Sequence, residues 1–266
     1  MTFQLLISTM HKSKQEVFKM LEKMNIHCNC VVVNQCDIED EINEKVSTQT
    51  IKIIFTKERG LSRSRNMALR KATADIVAIA DDDLYYYDNF DQIILSYYEK
   101  NKKADVVLFG IDSYNHKSPT IEQKCKFLKL GTYISVQTSL KRKVILENEI
   151  AYNEVFGTGS GIFNSGEENV FLADCYKNKL QMYYCPNRIL KHEKSESTWF
   201  KGFNDPKFVY DRGGIYYAIS RTLSPLYYLR FLITKRKIIK PITILQAIVL
   251  LNEGKKRYKI IQKQYK

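Results

Sequence analysis

Three adjacent carboxylates, Asp81-Asp82-Asp83, follow the apolar residues 76–80 without a break. Like charges this close repel and cost stability unless a cation offsets them. Mg²⁺ and Mn²⁺ favour one or two carboxylates together with phosphate oxygens, so a divalent ion carrying a phosphorylated substrate is a counter-charge that suits such a triplet. The competing reading is a solvated acidic turn. A second acidic pair, Glu167-Glu168, follows Gly166 and opens a helical pattern. There the helix dipole favours the ionised form, and ordinary first-turn acids are the alternative. The stretch Gly60-x-Ser62-x-x-Arg65-Asn66 adds cations: Arg59, Arg63 and Arg65 either form a solvated helix face or bring at least one guanidinium to a diphosphate. His192 stands further downstream, as a ligand or as a packing histidine.

These groups need elements to hold them. Residues 76–80 have the length and continuity of a strand buried on both faces, so the triplet sits where that strand leaves the core. In open α/β sheets, ligands bind at the carboxyl ends of the strands. Residues 3–7, 30–33, 51–55 and 104–109 read as further strands. Helices are expected after Ser13, after Ser62 or Ser64 as the cap, and after Asp88 or Asn89. The polar stretch 38–50 reads as a connection with a short helix at most. Residues 132–136 read as a strand and 140–146 as a short helix. Residues 112–129 carry no clear period. Gly157, Gly159 and Gly161 make a loop rather than a dinucleotide fingerprint, because their spacing is wrong. Residues 181–185 and 189–192 are extended pieces separated by Pro186. Alternating strands and helices make this a wound α/β protein.

Beyond residue 205 the texture changes to helices rich in Tyr, Leu and Ile, over 208–228 and 241–251, with Lys235-Arg236-Lys237 between them. Residues 201–266 hold 15 Lys and Arg against 3 Asp and Glu, so 15 − 3 = +12 of the net charge of +13 lies there. An anionic membrane surface is the partner such helices suit; packing on the α/β domain with solvated basic faces is the alternative. The six cysteines show neither a C-x-x-C pair nor zinc-ligand spacing, which reads as free thiols in a reducing cytoplasm. No signal peptide and no apolar run of transmembrane length is expected.

The order of the glycine-serine-arginine stretch, the aspartate triplet, the Gly166-Glu167-Glu168 step and His192 resembles the family 2 glycosyltransferases of the GT-A fold. It looks most like the bacterial members that build capsule or lipopolysaccharide repeat units. The resemblance covers roughly residues 3–200; Arg212-Gly213-Gly214 and Gly254 resemble the helical tail of those enzymes. It implies a mostly parallel α/β GT-A domain over 1–204 and a basic helical extension over 205–266.

It also implies roles. Asp81 and Asp82 would face the nucleotide sugar and Asp83 the metal, Mn²⁺ or Mg²⁺, with His192 completing the coordination. Ser8, Asp37, Arg65 and Asn66 would line the nucleotide. Glu168 would be the catalytic base, although the family usually has Asp there. Asn153, Glu154, Gly159 and Glu167 would border the acceptor. The implied reaction is an inverting transfer from a nucleoside-diphosphate sugar, a UDP-sugar foremost, to a lipid-linked or oligosaccharide acceptor. It would take place in the cytoplasm at the inner membrane face. The alternatives are a metal-dependent nucleotidyltransferase, whose glycine-rich basic loop is missing near the N-terminus, and a non-enzymatic nucleic-acid module. No recognisable RNA or DNA motif supports the latter.

Overall fold

The structure is a computed structural model that describes residues 1–113, 117–192, 205–235, 239 and 242–264. In chain order the strands are β1 (Phe3–Met10), β2 (Cys30–Gln35), β3 (Asp40–Val46), β4 (Gln49–Thr56), β5 (Ile76–Asp81), β6 (Tyr85–Tyr86), β7 (Val106–Ser113), β8 (Gln123–Lys124), β9 (Thr138–Lys141) and β10 (Met182–His192). The helices are α1 (Lys14–Lys23), α2 (Leu61–Lys71), α3 (Phe90–Lys100), α4 (Arg142–Glu147), α5 (Glu167–Lys177), α6 (Pro206–Ile219), α7 (Ser224–Lys235) and α8 (Ile244–Gln264).

One sheet carries all the strands in the order β3-β4-β2-β1-β5-β9-β7-β10-β6, with β8 against β10. Its central β4, β2, β1 and β5 run parallel, as do β7 and β10. Alternation of side chains makes the sheet two-faced. Leu5, Ile7, Val32, Ile53 and Ala78 enter one core with residues of α1 and α3. Leu6, Val31, Val33, Ile54 and Val77 enter the other with residues of α2 and α5. This is the wound, mostly parallel α/β architecture expected, and all six cysteines are buried free thiols within it.

Four local expectations change. Residues 40–46 are an edge strand, antiparallel to β4, not a connection. The strand sits at the sheet margin, where charged side chains are favoured because they discourage further pairing, and its Ile42, opposite Ile53, packs against the core. Helix α2 starts from Gly60, with φ 119°, and has no side-chain cap. The serines expected to cap it point inward: Ser62 Oγ donates to Phe156 O at 2.7 Å and Ser64 Oγ to Ser8 Oγ at 2.8 Å. The strand expected at 132–136 forms slightly later, as β9, and the helix expected at 140–146 begins at Arg142. Residues 181–192 form one strand, irregular around Pro186.

The tail is two long helical pieces expected and three observed, because 208–228 breaks between Ile219 and Ser224. Arg236 and Lys237 of the basic stretch lie outside the described residues. Among the described residues no helix is long and apolar enough to cross a membrane. The tail packs on the glycine loop and α5: Phe156 and Phe163 share a core with Val170 of α5, Ile215 of α6 and Tyr258 of α8. Glycine makes the α6–α8 crossing close. A Cβ on Gly213 would lie 2.0 Å from Leu251 O, and one on Gly254 1.9 Å from Tyr210 O. Backbones approach this tightly only where the side chain is missing.

Candidate active site

Parallel register sets the carboxyl ends of β1, β2 and β5 side by side, with Ser8 opposite both Val33 and Asp81. From there the three aspartates diverge. Asp81 Oδ1 meets Arg65 Nη2 at 2.9 Å. Asp82 accepts from Thr9 Oγ1 at 2.5 Å and faces Lys12 Nζ at 3.3 Å. Asp83 Oδ2 lies 3.9 Å from His192 Nε2. That last approach comes from pairing: β6, just after the triplet, runs antiparallel to β10 with Tyr85 opposite Lys191, and so carries the end of β10 back to Asp83.

Arg65 is the centre of the cluster and is only 1% exposed. Its guanidinium also donates to Glu167 Oε1 at 3.2 Å and to Ser135 Oγ at 3.0 Å, and it lies 5.4 Å from the centroid of the Tyr152 ring. Burial works against its charge, but Asp81 first, with Glu167 and Glu168 behind it, holds its pKa above the ordinary arginine value. Of the three arginines, then, this one is no solvated face. Arg63 reaches Glu154 at 3.1 Å, and Arg59 reaches Asp37 at 2.6 Å while also donating to Cys36 O and Thr56 O.

Glu168 is buried in the first turn of α5. Thr138 Oγ1 donates to its Oε1 at 2.8 Å, and its buried Oε2 has no partner among the described residues. Burial pushes its carboxyl up to about 7; Arg65 and the Thr138 hydroxyl resist, while Glu167 and Asp81 add to the rise. A carboxylate near 7 is matched to taking a proton at neutral pH. The helix start it occupies is fixed by Gly166, whose φ of 92° and whose contact with Ile215 leave no room for a side chain.

The other sequence-selected residues divide. Asn66 is buried and clamps the backbone of Tyr152, donating to its carbonyl and accepting from its N–H, each at 2.8 Å. Its amide also reaches Glu154 Oε1 at 3.3 Å. Gly159 lies against Gly60, where Leu61 N donates to Thr158 O, so the glycine loop is seated on the start of α2. Asn153 Nδ2 donates to Tyr258 OH at 3.1 Å and ties that loop to α8. Asp37 stands exposed at the carboxyl end of β2. Ser135, Thr138, Thr9, Lys12 and Tyr152 complete the cluster and were not singled out in the sequence; a hydroxyl far along the chain from the carboxylate it serves leaves no local signal.

The sequence profile described as Glycosyl transferase family 2 matches residues 15–165, more than half of the chain. The chain belongs to glycosyl transferase family 2. This family 2 transferase has the fold of TarS from S. aureus. A structure of TarS 1–349 in complex with UDP-GlcNAc is 15% identical over 96% of this chain and 80% of that one, with a TM-score of 0.65. One of TarS 1–349 in complex with UDP is 14% identical over 100% and 91%, with a TM-score of 0.56. A longer TarS structure covers 89% of this chain and 45% of that one at 15% identity, with a TM-score of 0.61. No curated protein matches the transferase in sequence. The family match ends before Glu167, and the fold likeness carries the comparison across α5 and the C-terminal helices.

Would a metal fit? Asp83 and His192 offer a carboxylate oxygen and an imidazole nitrogen to one point, and among the described residues no third His, Cys, Asp or Glu joins them. Two protein ligands suit an ion that takes its remaining oxygens from phosphate and water.

Proposed function

We propose that this transferase moves a sugar, with inversion, from a UDP-sugar to a hydroxyl of a lipid-linked glycan in surface polysaccharide synthesis. The observation that carries the reading is the strand-end cluster. It places a buried cation, Arg65, between the nucleotide-side carboxylate Asp81 and the Glu167–Glu168 helix start. The UDP-GlcNAc and UDP complexes of TarS support uridine as the base. Asp37, at the end of β2 and braced by Arg59, would read that base. Ser8, hydrogen-bonded to Ser64, and the Asp82–Lys12 pair would line the path of the diphosphate.

Asp83 and His192 would hold the Mn²⁺ or Mg²⁺, which supplies charge neutralisation for the leaving diphosphate. Glu168 takes the acceptor's proton at Oε2, the buried oxygen that Thr138 leaves without a partner. Attack from the face opposite the leaving group inverts the anomeric centre. Arg65 keeps Glu167 and Asp81 from repelling one another and fixes where the base stands. The basic helices would hold the enzyme at the cytoplasmic membrane surface, beside an acceptor anchored there.

Thermal melts with a panel of nucleoside diphosphates, with and without Mn²⁺, test the donor and the metal together. A ligand at 100 times its dissociation constant adds about 2.7 kcal/mol. The expected result is an Mn²⁺-dependent shift with UDP that Asp83→Asn removes. An equal shift in the variant moves the metal elsewhere, and no shift with any nucleotide sinks the donor reading.

A further inference from the structure

A groove of about 450 Å³ lies between the turn at 127–132, the start of α5, and helices α6 and α7. Aromatic rings wall it, among them Phe127, Tyr216, Tyr227 and Phe231, and its cations are Arg212, Arg230 and Lys235; none of the described residues that line it is acidic. Arg212 lies 4.6 Å from the Phe208 ring centroid, and among the described residues neither Arg212 nor Arg230 forms an ion pair. The contrast with Arg65, Arg59, Arg63 and Lys12 is complete, since each of those has a carboxylate. Two arginines without carboxylates in a partly apolar groove, Arg212 and Arg230, leave a positive field that an incoming anion would complete. The rings suit the flat apolar face of a sugar.

The groove is joined to the reacting centre through two short stretches of chain. Asn169 lines it and directly follows Glu168. Thr132 lines it and stands three residues before Ser135, the Arg65 partner, at most about 11 Å away along the chain. The groove thus comes within one residue of the base along α5 and within three residues of an Arg65 partner along the chain. Viewed down α7 at about 100° per residue, Tyr227, Phe231 and Thr234 turn to the groove, while the exposed Leu226, Leu229 and Ile233 turn away and Arg230 stands at the border.

Resting on the transferase reading above, we propose that this groove is the acceptor site and that the acceptor bears a phosphate or pyrophosphate group held by Arg212 and Arg230. Two sources carry that chemistry: the pyrophosphate of a lipid-linked glycan, and the phosphodiester of an anionic polymer. The phosphate would anchor the acceptor at one end while its sugar, stacked on the rings, presents a hydroxyl toward Glu168.

The test is calorimetric binding to the full chain, saturated with UDP and Mn²⁺. The probes are a glycosyl pyrophosphate bearing a short prenyl chain, a soluble glycerol phosphate oligomer, and an uncharged alkyl glycoside of the same sugar. Wild type should bind one of the two phosphate probes, and the one it prefers names the source. Arg212→Gln and Arg230→Gln should each weaken that probe by roughly tenfold or more, the scale of one lost charged hydrogen bond. Binding of the uncharged glycoside should be weaker and indifferent to both changes. Affinities in the variants within about twofold of wild type would overturn the proposal, as would equal binding of charged and uncharged probes. Arg230 is exposed, so its variant folds whatever happens at Arg212. The UDP melt judges the donor reading by itself: its failure in wild type, with phosphate probes still bound through the arginines, leaves the groove standing.

Discussion

Around the strand ends, Arg65, Lys12, Arg59 and Arg63 each face a carboxylate, whereas Arg212 and Arg230 on the C-terminal helices face rings and open space. The two regions use the same side chain for different ends. In the first, a buried cation is part of the fold: it holds together acids that would otherwise repel, and its own charge is tolerable only in their company. In the second, the cations leave a field that something outside the chain must complete. The two regions are thus separable by asking which arginines are already satisfied.

The largest test of this contrast is Glu168→Gln. Removing the base should lower transfer by roughly 10²- to 10⁴-fold while UDP binding persists; full activity would place the base elsewhere. Next comes a matched pair of arginine substitutions followed by urea denaturation. Arg65→Met strands Asp81 and Glu167 and should cost about 3–5 kcal/mol, whereas Arg230→Gln should stay within about 0.5 kcal/mol. Equal costs would erase the distinction.

The third test uses pH. The folded carboxyl of Glu168 sits at about 7 against an ordinary 4.5. Its contribution is therefore most favourable below 4.5, is lost as pH rises through 4.5 to about 7, and changes no further above that. The span corresponds to about 3 kcal/mol, so Glu168→Gln should gain stability over wild type at pH 8 and not at pH 4. A variant that tracks wild type at both pH values refutes the raised carboxyl. The same group should give transfer an acid limb centred near 7. The smallest effect belongs to the membrane. Cosedimentation with anionic vesicles should fall with added salt and with Leu229→Asn, each basic group near the surface contributing about 1 kcal/mol. Binding equal to that of neutral vesicles would remove the membrane from the account.

The strand ends were legible because local pattern determines them. An unbroken apolar run followed by three aspartates can be read at residues 76–83, and Ser13 announces α1 as its cap, to which the structure adds a capping box with Glu16. The edge strand at 40–46 escaped because a margin position asks for charge, and charge reads as loop. The burial of Arg65 escaped because its partners Ser135 and Glu167 lie 70 and 102 residues away, and no spacing encodes so distant a pairing. The serines at 62 and 64 were given to the wrong task for a related reason. A hydroxyl that serves tertiary contacts has the same sequence signature as one that caps a helix.

The ring of Tyr258 covers Phe156 and Phe163, and its hydroxyl holds Asn153. Synthesis separates these partners by 258 − 156 = 102 residues. At about 5–20 residues per second, the glycine loop waits roughly 5–20 seconds on the ribosome with its aromatic face bare. During that interval the nascent chain has β1 to β5 but no finished glycine loop. The sheet half is thus made before the half that would let it act, and chaperone contact with the growing chain should concentrate on residues 156–163.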